Sequence, residues 1–179
     1  MEVRLTRVSD NEAEFREFVA AQMDSLRGLA YLTCGDWQLA EDAVLAALAR
    51  LFVKWGRIDN HDAYARTAVV RAAIDETRRP WWRREQSLSH AMPEIAVDDL
   101  VPGVDERLRL RAALLRVPVK HRAVLVLRFL EGLSVPQTAA ALRCPEGTVK
   151  AYTSRGLDAL RRILGADPGI DTEVRYEAV

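Results

Sequence analysis

Between residues 147 and 157 the chain reads GTVKAYTSRGL, and four of its side chains can engage a phosphodiester or a base edge: Thr148, Lys150, Ser154 and Arg155. Lysine brings a mobile point charge with three donors, arginine a planar fork of donors, and the hydroxyls both donate and accept. If the segment is a helix, Lys150, Ser154, Arg155, Asp158, Arg161 and Arg162 share one side. Val149, Thr153, Gly156, Leu160 and Ile163 then gather on the other, with Tyr152 and Leu157 at its margins. Gly147 and Thr148 fall in the first turn, where free amide groups and the helix dipole attract an anion. A basic helix face is also what ordinary solvated surface looks like, so the elements around it must decide.

Just upstream, Ser134 and Gln137 have the spacing of a capping box, which starts a short helix that ends near Leu142. Pro145 suits the first turn of the next helix, because its missing amide hydrogen costs nothing there. Two helices joined by a turn of about three residues, the second packed on one side and basic on the other, give the layout of a helix-turn-helix.

Helical periodicity dominates the rest of the chain, and no segment alternates long enough to be a half-buried strand, so the sequence predicts an all-α protein. A first helix is expected from about Asp10 to Leu32, ending near Gly35. Asp36 can cap a second that runs to about Trp55 and buries Val44, Leu48, Leu51, Phe52 and Trp55. A third should follow Asn60 and stop at Pro80, packing Val69, Val70, Ala73 and Thr77 while Arg71, Asp75 and Arg78 face outward. Residues 87–104 contain proline, glycine and several acids without a period, the signature of a linker. Beyond it, helices are expected from Asp105 as N-cap to Arg116 and from Pro118 to Glu131, with Gly132 in a left-handed cap. The division is therefore 1–86, a linker over 87–104, a four-helix domain over 105–165, and a disordered tail over 166–179.

The 179 residues carry 26 Lys and Arg against 26 Asp and Glu, yet the charges are segregated. Arg66, Arg71, Arg78, Arg79, Arg83 and Arg84 crowd one stretch, and Glu85, Glu94, Asp98, Asp99, Asp105 and Glu106 fill the next. Local patches, not the total, are what a phosphate backbone feels. Cys34 and Cys144 have no neighbouring ligands, so neither a disulfide framework nor a metal site is expected. No cofactor is expected either. His61, His90 and His121 are scattered, and no phosphate loop or framed nucleophile occurs, so an enzyme has little support. With no long apolar run and no signal-peptide pattern at the N-terminus, a cytoplasmic protein is expected.

Four stretches together resemble the extracytoplasmic-function sigma factors, the two-domain initiation subunits of bacterial RNA polymerase. AYLTCGDWQLAEDAVLAALARLF is similar to their polymerase-binding helix, and YARTAVVRAAIDETRR to the helix for the minus-ten element. VPVKHRAVLVLRFLEGLS is similar to the start of their C-terminal domain, and CPEGTVKAYTSRGLDALR to the reader of the minus-thirty-five element. The resemblance implies that Glu41, Asp42 and Arg50 meet core RNA polymerase. It also implies that Arg66, Arg71, Arg78 and Arg79 meet the melted downstream promoter, and that Thr148, Lys150, Ser154 and Arg155 meet the duplex upstream. An anti-sigma factor is a further candidate partner. The chain departs from the family at Leu45, where a glutamine is usual, and at Arg71, where an asparagine is common. Trp81 and Trp82 can stack on unpaired bases or anchor the domain. Glu94, Asp98 and Asp99 can imitate phosphate in the polymerase or simply solvate a spacer. The other function class open to this sequence is a stand-alone helix-turn-helix regulator, which would bind as a dimer.

Overall fold

The computed structural model describes residues 2–78 and 104–165, and side chains over 11–78 and 106–165. The expectations for Arg79, the tryptophan pair, the acids at 94, 98 and 99, and the tail fall outside the described residues.

Helix α1, Glu2–Cys34, starts earlier than its periodicity suggests and ends where Gly35 turns to φ +81, a conformation that costs glycine little. Asp36 then caps α2, Trp37–Lys54, accepting the Leu39 amide at 2.9 Å. A 3-10 turn over Trp55–Arg57 leads to Asn60, whose side chain accepts the Ala63 amide and starts α3, His61–Thr77. Alanines line the facing sides of α2 and α3, with Ala40, Ala43, Ala47, Ala65, Ala68, Ala72 and Ala73 all buried. Small side chains let these backbones approach, and Leu26, Val44, Leu51 and Val69 fill the space between the three helices. Trp55 closes one end: His61 stacks on it at 3.7 Å and Phe15 meets it edge-on. His61 also bonds the Trp55 carbonyl at 2.9 Å, so this histidine is part of the packing.

Helix α4, Val104–Leu115, already includes Asp105, so that residue is not the N-cap the sequence suggested. Pro118 precedes α5, Val119–Leu125, which widens into a π turn over Val126–Leu130 before Gly132 reverses the chain at φ +66. The last two helices are α6, Val135–Leu142, and α7, Glu146–Gly165. Val124, Ala139 and Val149 are buried together where α5, α6 and α7 meet.

These two helical units do not stand apart. Leu29 of α1 and Val70 of α3 are buried in one cluster with Ala123, Val126 and Leu127 from α5 and its π turn and Ala141 from α6. Leu115 packs on the core of α1–α3, and Arg111 lies over the Tyr31 ring at 4.8 Å. Arg122, only 3% exposed, donates from α5 to the Thr33 carbonyl near the end of α1 at 2.9 Å. It also bonds the Leu115 carbonyl at 2.5 Å, so one guanidinium ties the α4–α5 turn to α1.

Two expected faces are corrected. Phe52 is not buried with its neighbours; it lies half-exposed at the edge of α2, tilted against Phe15 at 4.9 Å. Arg71 does not face outward: it reaches α6, because the second unit covers that side of α3.

Candidate nucleic-acid interface

Both hydrogen bonds of the capping box form. Gln137 N donates to Ser134 Oγ at 3.3 Å, and Ser134 N donates to Gln137 Oε1 at 2.8 Å. At the other end of α6, Arg143 takes a left-handed conformation, φ 51, and the Cys144 amide bonds back to the Ala139 carbonyl at 3.0 Å. No glycine announces this cap, and a non-glycine left-handed residue has no reliable signature in sequence. Pro145 then sits ahead of α7 rather than inside it, and its carbonyl accepts the Thr148 amide at 2.9 Å.

The wheel of α7 is largely as its sequence suggests. Val149 and Gly156 are buried, and Lys150, Ser154, Arg155, Asp158, Arg161 and Arg162 are exposed. Thr148 is half-buried in the first turn, and Thr153 donates its hydroxyl to the Val149 carbonyl at 2.8 Å. Arg161 is ion-paired to Asp158 at 3.0 Å. Lys150 and Arg155 make no hydrogen bond or ion pair among the described residues, so their donors are available. His121 of α5 lies against Tyr152 at 4.9 Å. Burial first, and then the charge of Arg155, hold its imidazole below the usual histidine pKa, so at neutral pH it adds no second cation there.

Gly156 positions this helix. A Cβ there would meet Leu125 Cγ at 3.0 Å and Cδ1 at 3.1 Å, so α7 approaches α5 closely only because the side chain is missing. Gly156→Val is expected to lose more in overpacking, about 1–3 kcal/mol, than the helix gains from removing a glycine, under about 1 kcal/mol. Denaturant unfolding of the purified chain checks the sign.

A groove of about 400 Å³ runs along the exposed face, lined by Arg128, Val135, Lys150, Ser154, Leu157 and Arg161 among others. Arg128 is the residue that sequence reasoning missed. It sits within the apolar run VLRFL, where periodicity reads as core, but the π turn swings its side chain under α6 and α7. One terminal nitrogen donates to the Leu133 carbonyl at 2.7 Å, while its Nε is buried without a protein partner.

The other predicted cations lie elsewhere and are largely engaged. Arg66 donates its Nε to Asp62 at 3.0 Å and Nη1 to Glu131 at 3.2 Å. Burial opposes its charge, but Glu131 and Asp62 outweigh that and hold its pKa above the ordinary value. Arg71 donates to the Ala140 and Ala141 carbonyls at the end of α6. Burial and then Arg143 depress its pKa, yet a guanidinium stays charged in water. Arg78 is exposed as the residue that caps α3.

On α2, Glu41 is tied to Arg27 at 2.9 Å, while Asp42 and Arg50 are exposed. Leu45 is 61% and Val53 81% exposed, and with half-exposed Phe52 they add an apolar strip beside those charges. Among the described residues, no cluster of three or more His, Cys, Asp or Glu could hold a metal ion. Burial pushes the Cys34 thiol up to about 11, which keeps it protonated and unreactive.

Residues 107–160, from α4 through most of α7, match the family model of sigma-70 region 4. Over 159 residues the chain is 35% identical to the RNA polymerase sigma-E factor of Streptomyces coelicolor, covering 86% of this chain and 87% of that protein. The chain is an extracytoplasmic-function sigma factor. It is also 29% identical over 168 residues to the ECF RNA polymerase sigma factor SigM of Mycobacterium tuberculosis, which spans 92% of this sigma factor and 84% of its relative. The fold matches too. The sigma factor RpoE of Bartonella quintana, solved with the anti-sigma factor NepR, superposes with a TM-score of 0.63 at 22% identity, over 86% of this chain and 98% of that one. CnrH, solved with the cytosolic domain of CnrY, gives 0.58 at 20% identity, over 91% and 95%.

Proposed function

We propose that this sigma factor directs core RNA polymerase to specific promoters and helps to hold the melted strand, leaving the chemistry to the polymerase. The observation that carries the reading is the α7 face, on which Lys150 and Arg155 are exposed and unpaired above a helix fixed by a capping box and by Gly156. Thr148 and Ser154 complete the upstream contact, and Arg128 joins it from the groove. Arg66, Arg71, Arg78 and Arg79 serve the downstream element. Division of labour follows the two helical units, residues 1–86 for polymerase and melted DNA and 105–165 for duplex. Glu41, Asp42 and Arg50 steer polymerase, while the apolar strip of Leu45, Phe52 and Val53 supplies area to be buried. Leu45 thus replaces a polar contact of the family with an apolar one. The protein works in the cytoplasm, has no catalytic role of its own, and is a candidate for restraint by an anti-sigma factor. Among the described residues no helix is long and apolar enough to cross a membrane.

Reconstituted transcription from a promoter library tests this directly. Specific run-off products should appear with core enzyme and this chain together. Tight dimeric binding to duplex by the chain alone, with no gain on adding core enzyme, would instead identify a stand-alone regulator. Asp42→Ala should slow capture of core polymerase about threefold or more at low salt, an effect that shrinks as salt screens the charge, with free DNA binding unchanged. Association kinetics read on immobilised polymerase check it.

A further inference from the structure

His61 and His121, the histidines among the described residues, are engaged in different ways. His61 is a packing residue: its ring stacks on Trp55 at 3.7 Å, and one nitrogen bonds the Trp55 carbonyl. His121, in the first turn of α5, is half-buried against Tyr152 of α7, with ring centroids 4.9 Å apart and the planes tilted by 55°. That contact places the ring but commits neither nitrogen, and among the described residues His121 makes no hydrogen bond or ion pair. Tyr152 stands one turn before Arg155 on the same helix, and Arg155 is the charged group of α7 that acts on the imidazole. On α5 itself, Lys120 is exposed to solvent, and Arg122 is turned inward to the Thr33 and Leu115 carbonyls.

We propose that His121 is a further DNA contact, a phosphate ligand that becomes a cation when duplex lies along α7, so that binding takes up a proton. The inference rests on the assignment of the α7 face to duplex DNA made above.

In the free chain burial and Arg155 both disfavour the imidazolium, which holds the pKa below the ordinary value. A duplex against Arg155 reverses that field, because it brings one negative charge per about 1.7 Å of its axis. Opposite charge within about 4–6 Å favours the protonated ring, and phosphate at Arg155 also removes the repulsion. The imidazolium donates from both nitrogens, whereas the neutral ring has one donor and one acceptor, so protonation suits the ring to phosphate oxygen. The sign follows. Affinity gained this way is fully present below the free-chain pKa and is lost as pH rises through the higher value in the complex. A tenfold gain in the proton affinity of the ring on binding gives about a tenfold gain in DNA affinity at the acid limit.

The test uses the full chain and a labelled duplex of mixed sequence, since a phosphate contact does not depend on base order. Fluorescence anisotropy at low salt compares binding at about pH 6 and about pH 8. The wild type should gain about threefold to tenfold in affinity at the lower pH beyond any gain shown by His121→Gln, and its salt slope should steepen there by about 1. His121→Lys should bind at the higher pH about as the wild type does at the lower, with little pH dependence left. NMR of the wild-type imidazole, its signal assigned by its loss in His121→Gln, should show the pKa rising when duplex is added, a change that packing on Tyr152 alone does not produce. If that pKa stays put and His121→Gln keeps the full pH dependence, while Lys150→Ala and Arg155→Ala weaken binding, His121 is not a contact and the α7 face stands. If Lys150→Ala and Arg155→Ala leave duplex binding unchanged, the assignment of α7 to DNA fails and the role of His121 falls with it.

Discussion

Arg122→Ala is expected to destabilise the chain by about 3 kcal/mol, which for this length lowers the melting temperature by about 6–12 °C. Two charge-assisted hydrogen bonds are lost, to Thr33 and Leu115, each worth about 1.5–3 kcal/mol. The buried stem of the side chain goes with them. Relief works in the other direction, because burial depresses the pKa of this guanidinium, the mark of a charge held out of water at a cost. Arg122→Met separates the two effects. It restores most of the volume and removes the desolvation, so it should recover a large part of the loss, and calorimetry on the pair of variants reads the balance. Equal losses in both variants would mean that the hydrogen bonds outweigh packing and desolvation. The Gly35 position sharpens the geometry, since a Cβ there would meet an Arg122 terminal nitrogen at 3.3 Å. Glycine ends α1 and also makes room for the cation that caps it.

Local rules carried much of this structure into the sequence. Asp36, Asn60 and Ser134 cap their helices because a short oxygen-bearing side chain before an apolar period has one favourable use. Gly35 and Gly132 take positive φ where the periods stop. The face of α7 could be read from a wheel because its apolar and basic residues separate cleanly at helical spacing. What stayed hidden depends on contact between distant parts of the chain. Phe52 has the spacing of a core residue, yet Leu51 and Trp55 take the interior and leave it at the edge. Arg71 and Asp75 look alike on the wheel of α3, but only one of them meets the end of α6, and no local period encodes a partner some seventy residues away. Arg128 was masked by the apolar run around it, since a π turn shifts register in a way that no propensity announces. Arg122 reads as one more charge near a helix start, although it is among the most buried polar groups described.

Arg155→Ala and Lys150→Ala should each weaken discrimination of the upstream promoter element, and the size and salt dependence of the loss identify what each side chain touches. A side chain that bonds a base edge is worth about 1–3 kcal/mol of preference for the right base, a loss of roughly five- to 150-fold at one position, with the salt slope little changed. One that bonds only phosphate lowers affinity for every sequence and reduces the salt slope by about 1. Arg155 is the stronger candidate for a base. Its planar fork suits the paired acceptors of guanine, and it lies near enough to His121 for its charge to lower that imidazole's pKa. Lys150 carries a flexible point charge into the groove beside Arg128, so it is expected to act more on phosphate. Binding of promoter libraries at two salt concentrations, by polymerase carrying each variant, separates the outcomes. If both variants keep sequence preference and salt slope intact, α7 is not the reader, and the exposed basic face is solvated surface.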